Sequence, residues 1–233
     1  MLMRSGAEIT DAWMRRFAAS ASATEAELSS LDQQVGDGDF GANLVAGLQA
    51  TLRLLGEEGT DTASSTAAGP LEAAAAAFLD EVGGTSGPLF GLLLQEMAVA
   101  VADAGGGLDA GSLAIGADNG LSAIQRVGDA AVGDKTLVDA LVPACEALAS
   151  FPAAADPHEA LSHAARAAWE GVGNTARLTA RRGRASYVGD RAAGIPDPGA
   201  VGIGLLFSSA EGTVTRLAPF LREPEGVPVK RNA

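Results

Sequence analysis

Apolar residues in this chain return every three or four positions and nowhere alternate for long, a spacing that restricts it to helices. Leu44, Leu48, Leu52 and Leu55 lie on one face of the segment that follows Gly41, which ends in the turn-rich stretch 56–59. After Gly133, Leu137, Leu141, Ala144 and Leu148 repeat the pattern in steps of four, three and four. Both segments read as amphipathic helices turned towards a core. No sustained Val/Ile/Thr alternation offers a sheet, and aromatic residues are only 4% of the chain, so alanine and leucine must fill the interior.

Helix starts carry their own chemistry. Asp156-Pro157 and Asp197-Pro198 each place an acceptor at an N-cap and proline at the first helical position. With further segments near 5–31, 66–82, 87–104 and 109–127 and a last one ending near Phe220, the sequence predicts an all-α protein. The economical arrangement is a bundle or barrel of about eight antiparallel amphipathic helices joined by glycine-rich connections. The 233 residues fit one domain over 1–222, followed by a loose tail at 223–233 with Pro224, Pro228, Lys230 and Arg231.

A formal net charge of -13 argues against nucleic acid or an anionic membrane as partner, since either would be repelled. Any bound anion therefore needs cations supplied locally. The lone Cys145 cannot form an intrachain disulfide and reads as a small buried hydrophobe, which fits a reducing cytoplasm. Arg4, Glu8, Asp11, Arg15 and Arg16 interrupt the first twenty residues, so no secretory signal is expected. The most apolar run, from Pro88, meets Gln95 and Glu96 after seven residues, too short to cross a bilayer.

Chemistry concentrates between the first two helices, in Leu31-Asp32-Gln33-Gln34-Val35-Gly36-Asp37-Gly38-Asp39-Phe40-Gly41. Asp37 and Asp39 flank a glycine able to take positive φ, so a tight loop aims both inward while Asp32 arrives from the preceding helix end. Converging carboxylates repel one another unless a cation intervenes. Magnesium suits them, because it takes few carboxylates and completes its shell with water and substrate phosphates. A solvated Asp/Gly turn has the same composition. A calcium loop fits less well: an EF-hand needs ligands where this chain has Gln33-Gln34-Val35.

Two other segments suit an anion. Gly83-Gly84-Thr85-Ser86-Gly87-Pro88 offers open amides, two hydroxyls and a following helix N-terminus, although an ordinary interhelical turn looks alike. Arg181-Arg182-Gly183-Arg184-Ala185-Ser186-Tyr187, followed by Asp190-Arg191, gathers positive charge, either to meet phosphate or as a solvated helix end. Other signals are weaker. Residues 128–136 do not form a phosphate loop, because Asp134 stands between Gly133 and Lys135 and no strand precedes them. Gly202 and Gly204 read as helix-packing residues, His158 and His163 as surface or packing residues, and Trp13 and Trp169 as packing aromatics. No nucleophile with a base partner emerges, so no catalytic residue is assigned.

Taken in order, LDQQVGDGDFGANL, GGTSGPLFG, GDKTLVDAL and GRASYVGDRAAGIPDPGA resemble the L subunit of dihydroxyacetone kinases over about residues 10–220. The resemblance implies a barrel of eight antiparallel helices with the nucleotide, ADP or ATP, at one end. It implies that Asp32, Asp37 and Asp39 bind two magnesium ions between protein and phosphates. Phosphate-side contacts would come from Phe40, Gly41, Ala42, Asn43, Thr85 and Ser86. Gly128 and Leu137 would border the adenine, while Arg184 and the Asp197-Pro198-Gly199 turn would close the site. Phe40 departs from the family, which usually has histidine there.

The resemblance further implies a K-type partner subunit that holds the ketose through a histidine, with a phosphotransferase-system protein as phosphoryl donor if ADP stays bound, or ATP exchanging each turnover. On that reading the chain is inactive alone. The departure at Phe40 keeps open a non-catalytic, nucleotide-binding regulatory module of the same fold.

Overall fold

The structure, a computed structural model, describes residues 5–56, 66–187 and 192–221; the expected tail at 223–233 and the pair Asp190-Arg191 lie outside them. Among the described residues there are no strands. The helices are α1 (Gly6–Val35), α2 (Phe40–Leu55), α3 (Ala68–Glu81), α4 (Ser86–Asp103), α5 (Ala110–Gly128), α6 (Val138–Ala149), α7 (Pro157–Thr175), α8 (Pro198–Ser208) and α9 (Ala218–Leu221), with a 3-10 turn at Arg184–Tyr187.

Local chemistry sets most of the helix starts. Ser5 and Glu8 form a reciprocal capping box on α1, and Asp109 and Ser112 do the same on α5. At the two Asp-Pro starts, the Asp156 carboxylate accepts from the His158 N–H and the Asp197 carboxylate from the Ala200 N–H. Sequence and structure differ at two ends. α1 runs on to Val35, which brings Asp32 inside its last turn. The final segment is broken: α8 stops at Ser208, where the Arg16 guanidinium donates to the carbonyls of Ser209 (2.7 Å) and Ala210 (2.6 Å). A cation on the last carbonyls is a natural helix stop. The chain then turns, and α9 lays Phe220 on Trp169 with ring centroids 4.4 Å apart.

Consecutive helices from α1 to α8 pack against one another, and α8 also touches α1, α2 and α6, which closes the ring. Every α8 residue from Ala200 to Phe207 is buried, as its uniformly apolar sequence requires. The Trp13 indole N–H donates to the Leu206 carbonyl at 2.7 Å and ties α1 to this central element. Gly202 lies against Phe40 and Phe90, and Gly204 against the Trp169 ring, so both are packing residues. Cys145 is buried, and burial pushes its thiol up to about 12. No helix among the described residues is long and apolar enough to cross a membrane.

Small residues let the helices approach closely. A Cβ added at Gly116 of α5 would come within 2.6 Å of the Met97 Cα on α4, a backbone atom that cannot step aside. Gly173 of α7 has nothing within 4 Å. Opposite outcomes are therefore expected for the same change. Gly116→Ala should destabilise by about 1–3 kcal/mol through overpacking, whereas Gly173→Ala should stabilise by up to about 1 kcal/mol through helix propensity. Urea denaturation of the two variants measures both.

Candidate functional site

The up-and-down course of the chain gathers helix ends of one kind at one end of the bundle. A cleft there is lined by the starts of α2 (Phe40, Asn43), α4 (Ser86, Leu89), α6 (Val138) and α8 (Pro198, Gly199), and by the ends of α1 (Asp32, Val35) and α5 (Ile124, Gly128). Its empty space is about 1040 Å³ counting the open mouth. Four helix N-termini turn the positive ends of their dipoles towards it, with the Phe40, Val138 and Ala200 amides already engaged by Asp32, Thr136 and Asp197. Neither Asp39 before α2 nor Thr85 before α4 caps its helix with a side-chain hydrogen bond, so those amides are not taken by their own cap residues.

The carboxylates come from the turn between α1 and α2. Gly38 takes φ +82, which lets the chain reverse in so few residues. Asp32, Asp37 and Asp39 each offer an oxygen, and these oxygens all lie within 4.8 Å of one another. Asp32 is buried while the other two are exposed. Burial raises the Asp32 pKa above the usual carboxylate range, the Phe40 N–H opposes that rise by donating to it at 3.1 Å, and the charges of Asp37 and Asp39 add to it. A cluster held this way is a hard, oxygen-only donor set.

Phe40 divides its two ends between site and core. Its N–H serves Asp32, while its ring sits 6.3 Å from that of Phe90 and packs on Gly202. Across the cleft, Gly84 at φ +76 turns the chain into α4 beside the Asn43 side chain.

Another part of the lining carries cations, of which sequence reasoning had singled out Arg182 but passed over Lys135. Lys135 and Thr136, in the stretch set aside as no phosphate loop, line the cleft, as does Arg182. The Lys135 side chain is buried, and its ammonium donates to the carbonyls of Thr175 and Ile195, both at 2.6 Å. Burial lowers its pKa, countered by the charges of Asp197 and Asp139. Asp139 accepts from the amides of Gly133 (2.5 Å) and Thr136 (2.9 Å) and so fixes the loop that carries the lysine. Arg182 reaches Asp129 at 2.8 Å, and its backbone neighbour Arg181 donates its N–H to the Asp134 carbonyl. The sequence signals were GDKTLVDAL, one of the strings that carry the resemblance, and the arginines at 181 and 182.

Comparison with known proteins bears on this arrangement. The profile of the DAK2 domain matches residues 34–212. The chain belongs to the DAK2-domain family. Within it, the chain is 33% identical over 202 residues to the PTS-dependent dihydroxyacetone kinase, ADP-binding subunit DhaL of Lactococcus lactis, covering 87% of this chain and 95% of that one. It is 38% identical over 194 residues to the L-erythrulose 1-kinase of Mycolicibacterium smegmatis, covering 82% of this chain but 33% of the relative. The crystal structure of the dihydroxyacetone kinase from C. freundii in complex with AMP-PNP and Mg2+ shares the fold, with a TM-score of 0.63 at 24% identity over 87% of this chain and 32% of that one. The chain thus spans about a third of those two longer kinases.

In this DAK2-domain chain, twelve of the residues singled out from sequence line one cleft: Asp32, Asp37, Asp39, Phe40, Asn43, Thr85, Ser86, Gly128, Leu137, Asp197, Pro198 and Gly199. Two do not reach it. Gly41 is pressed against α1, where a Cβ would lie 2.6 Å from Ser29 Oγ, and Ala42 faces outward on the exposed side of α2. The side chain of Arg184 lies outside the described set. His158 and His163 are exposed on α7, the latter edge-on to Phe151.

Asp197 combines a cap with an unusual titration. Burial pushes its carboxyl up to about 7 against the hydrogen bond from Ala200 and the charge of Lys135, with Asp139 and Asp32 adding to the rise. The folded value exceeds the unfolded one, so the native state binds the extra proton between the two, and this group's contribution to stability falls as pH rises through that window. Asparagine still caps but carries no charge. Asp197→Asn should therefore gain stability relative to the wild type as pH goes from about 5 to about 8, read from urea midpoints across the series.

Proposed function

We propose that this chain is the nucleotide-binding phosphotransferase subunit of a dihydroxyacetone-type kinase. It would act with a K-type subunit that holds the ketose and present ADP or ATP with two magnesium ions. The observation that carries the reading is the meeting of Asp32, Asp37 and Asp39 within 4.8 Å, in a cleft that four helix N-termini also line. Polyphosphate bound through metal ions needs just such a pairing of acidic ligands with backbone donors. The relatives support it: the L. lactis protein is called an ADP-binding subunit, and the C. freundii kinase was crystallised with AMP-PNP and Mg2+.

The donor set fits magnesium, which when bound neutralises phosphate charge. The chain's own residues do the positioning. Asp32, Asp37 and Asp39 would hold the ions, Asn43, Thr85 and Ser86 would face the phosphates with the α2 and α4 amides, and Gly128 and Leu137 would border the base. Arg184 and the Asp197-Pro198-Gly199 turn would close the site. Among the described residues lining the cleft there is no histidine to hold a ketose, which supports a partner for that task. The donor is either ADP recharged by a phosphotransferase-system protein or exchanging ATP. The regulatory alternative draws its motive from Phe40, whose ring lies against Phe90 while its N–H donates to Asp32.

Calorimetry with ADP and magnesium is the test. Binding is expected for the wild type, loss of affinity by at least about thirtyfold for Asp37→Asn and Asp39→Asn, and release of nucleotide on chelation of the metal. Ketose phosphorylation should require added K-type subunit. Undiminished binding in both variants would refute the metal-phosphate reading.

A further inference from the structure

Lys135 is expensive to keep where it is. The chain has two lysines, and this one is 1% exposed, with its backbone at φ +62, a conformation that L residues rarely adopt. Burying an ammonium costs solvation that hydrogen bonds only partly return, and the strained backbone adds to that cost. A neutral side chain on a relaxed loop would link these elements with less loss. Such expense concentrates where a binding surface must be held in one place.

Its partners show which surface. The ammonium spends two of its three donors on carbonyls from separate elements: Thr175, the last residue of α7, and Ile195, two residues before Asp197. Thr175 is engaged a second time, because its hydroxyl accepts the Asp197 N–H at 2.9 Å. The loop that carries the lysine is itself fixed by Asp139 through Gly133 and Thr136. Asp197, Pro198 and Gly199 form the start of α8 and the cleft wall on that side, and Leu137 lies directly behind Gly199. Three segments far apart in sequence thus share one buried cation. Arg182 joins the stretch after α7 to the same loop at the surface through Asp129, and Lys135 draws the end of α7 and Ile195 to it from the buried side.

We propose that Lys135 is a positioning residue for the bound nucleotide: its ammonium pins the Asp197-Pro198-Gly199 wall to α7 and to the loop that borders Leu137, so that both close on one ligand. The inference rests on the nucleotide reading above. It assigns the lysine no contact with the reacting atoms.

Calorimetric titration with ADP and magnesium decides it, beside melting temperatures taken without nucleotide. Lys135→Met should remain folded and bind at least about tenfold more weakly. Lys135→Arg keeps both charge and donors and should return to within about threefold of the wild type, a rescue that a merely space-filling role would not produce. Wild-type affinity in folded Lys135→Met would overturn the proposal, and so would equal losses in the Met and Arg variants. Should Lys135→Met fail to fold, Thr175→Val takes its place, since it loosens the same wall by deleting the acceptor of the Asp197 N–H. Weakened binding then supports the proposal and unchanged binding overturns it. Failure of the wild type to bind would sink the nucleotide reading instead, so the two failures are distinct.

Discussion

Helix direction is the constraint on which this structure depends. In an up-and-down ring the chain must begin every second helix at the same end, and here α2, α4, α6 and α8 all begin at the cleft. Each start brings the partial positive end of a helix dipole, so topology alone builds a surface that attracts anions. In a protein of net charge -13 this matters more than usual, because the overall field repels what the cleft attracts. Local dipoles and, among the described residues, the cations Lys135 and Arg182 must prevail over it at short range.

The same cleft holds the cluster of Asp32, Asp37 and Asp39. The two halves are complementary only when something lies between them that is positive towards the aspartates and negative towards the amides. A metal-bound polyphosphate meets both conditions at once, whereas a bare anion is repelled by the carboxylates and a bare cation by the positive helix ends. The charge distribution is thus more selective than either half alone.

The fold was legible because helical periodicity is local. The leucine stripes of α2 and α6 and the Asp-Pro starts of α7 and α8 needed no knowledge of distant residues. The carboxylate turn was legible for the same reason, since Asp32, Gly38 and Asp39 lie close together in sequence, from the last turn of α1 to the start of α2. Lys135 was not. Its role comes from Thr175 and Ile195, 40 and 60 residues away, and from an aspartate that fixes its loop through backbone amides. The direction of the Phe40 ring was hidden likewise, since Phe90 and Gly202 decide it from distant helices. The break after α8 depended on Arg16, whose guanidinium reaches carbonyls more than 190 residues further on.

The cleft end is also where the molecule gives up stability. Three acidic groups crowd together, one of them buried, and a lysine is buried in a strained conformation; neither arrangement is needed to pack helices. The rest of the bundle can bear this because it is built from close contacts between small residues, such as Gly116 on Met97 and Gly120 on Leu93, which bury apolar surface at short helix separations. Ligand binding would reverse the sign at the cleft, turning repulsion among carboxylates into coordination. On this view the local destabilisation measures how far the empty protein is already shaped for its ligand, since groups held apart from their preferred arrangement need not move to receive it.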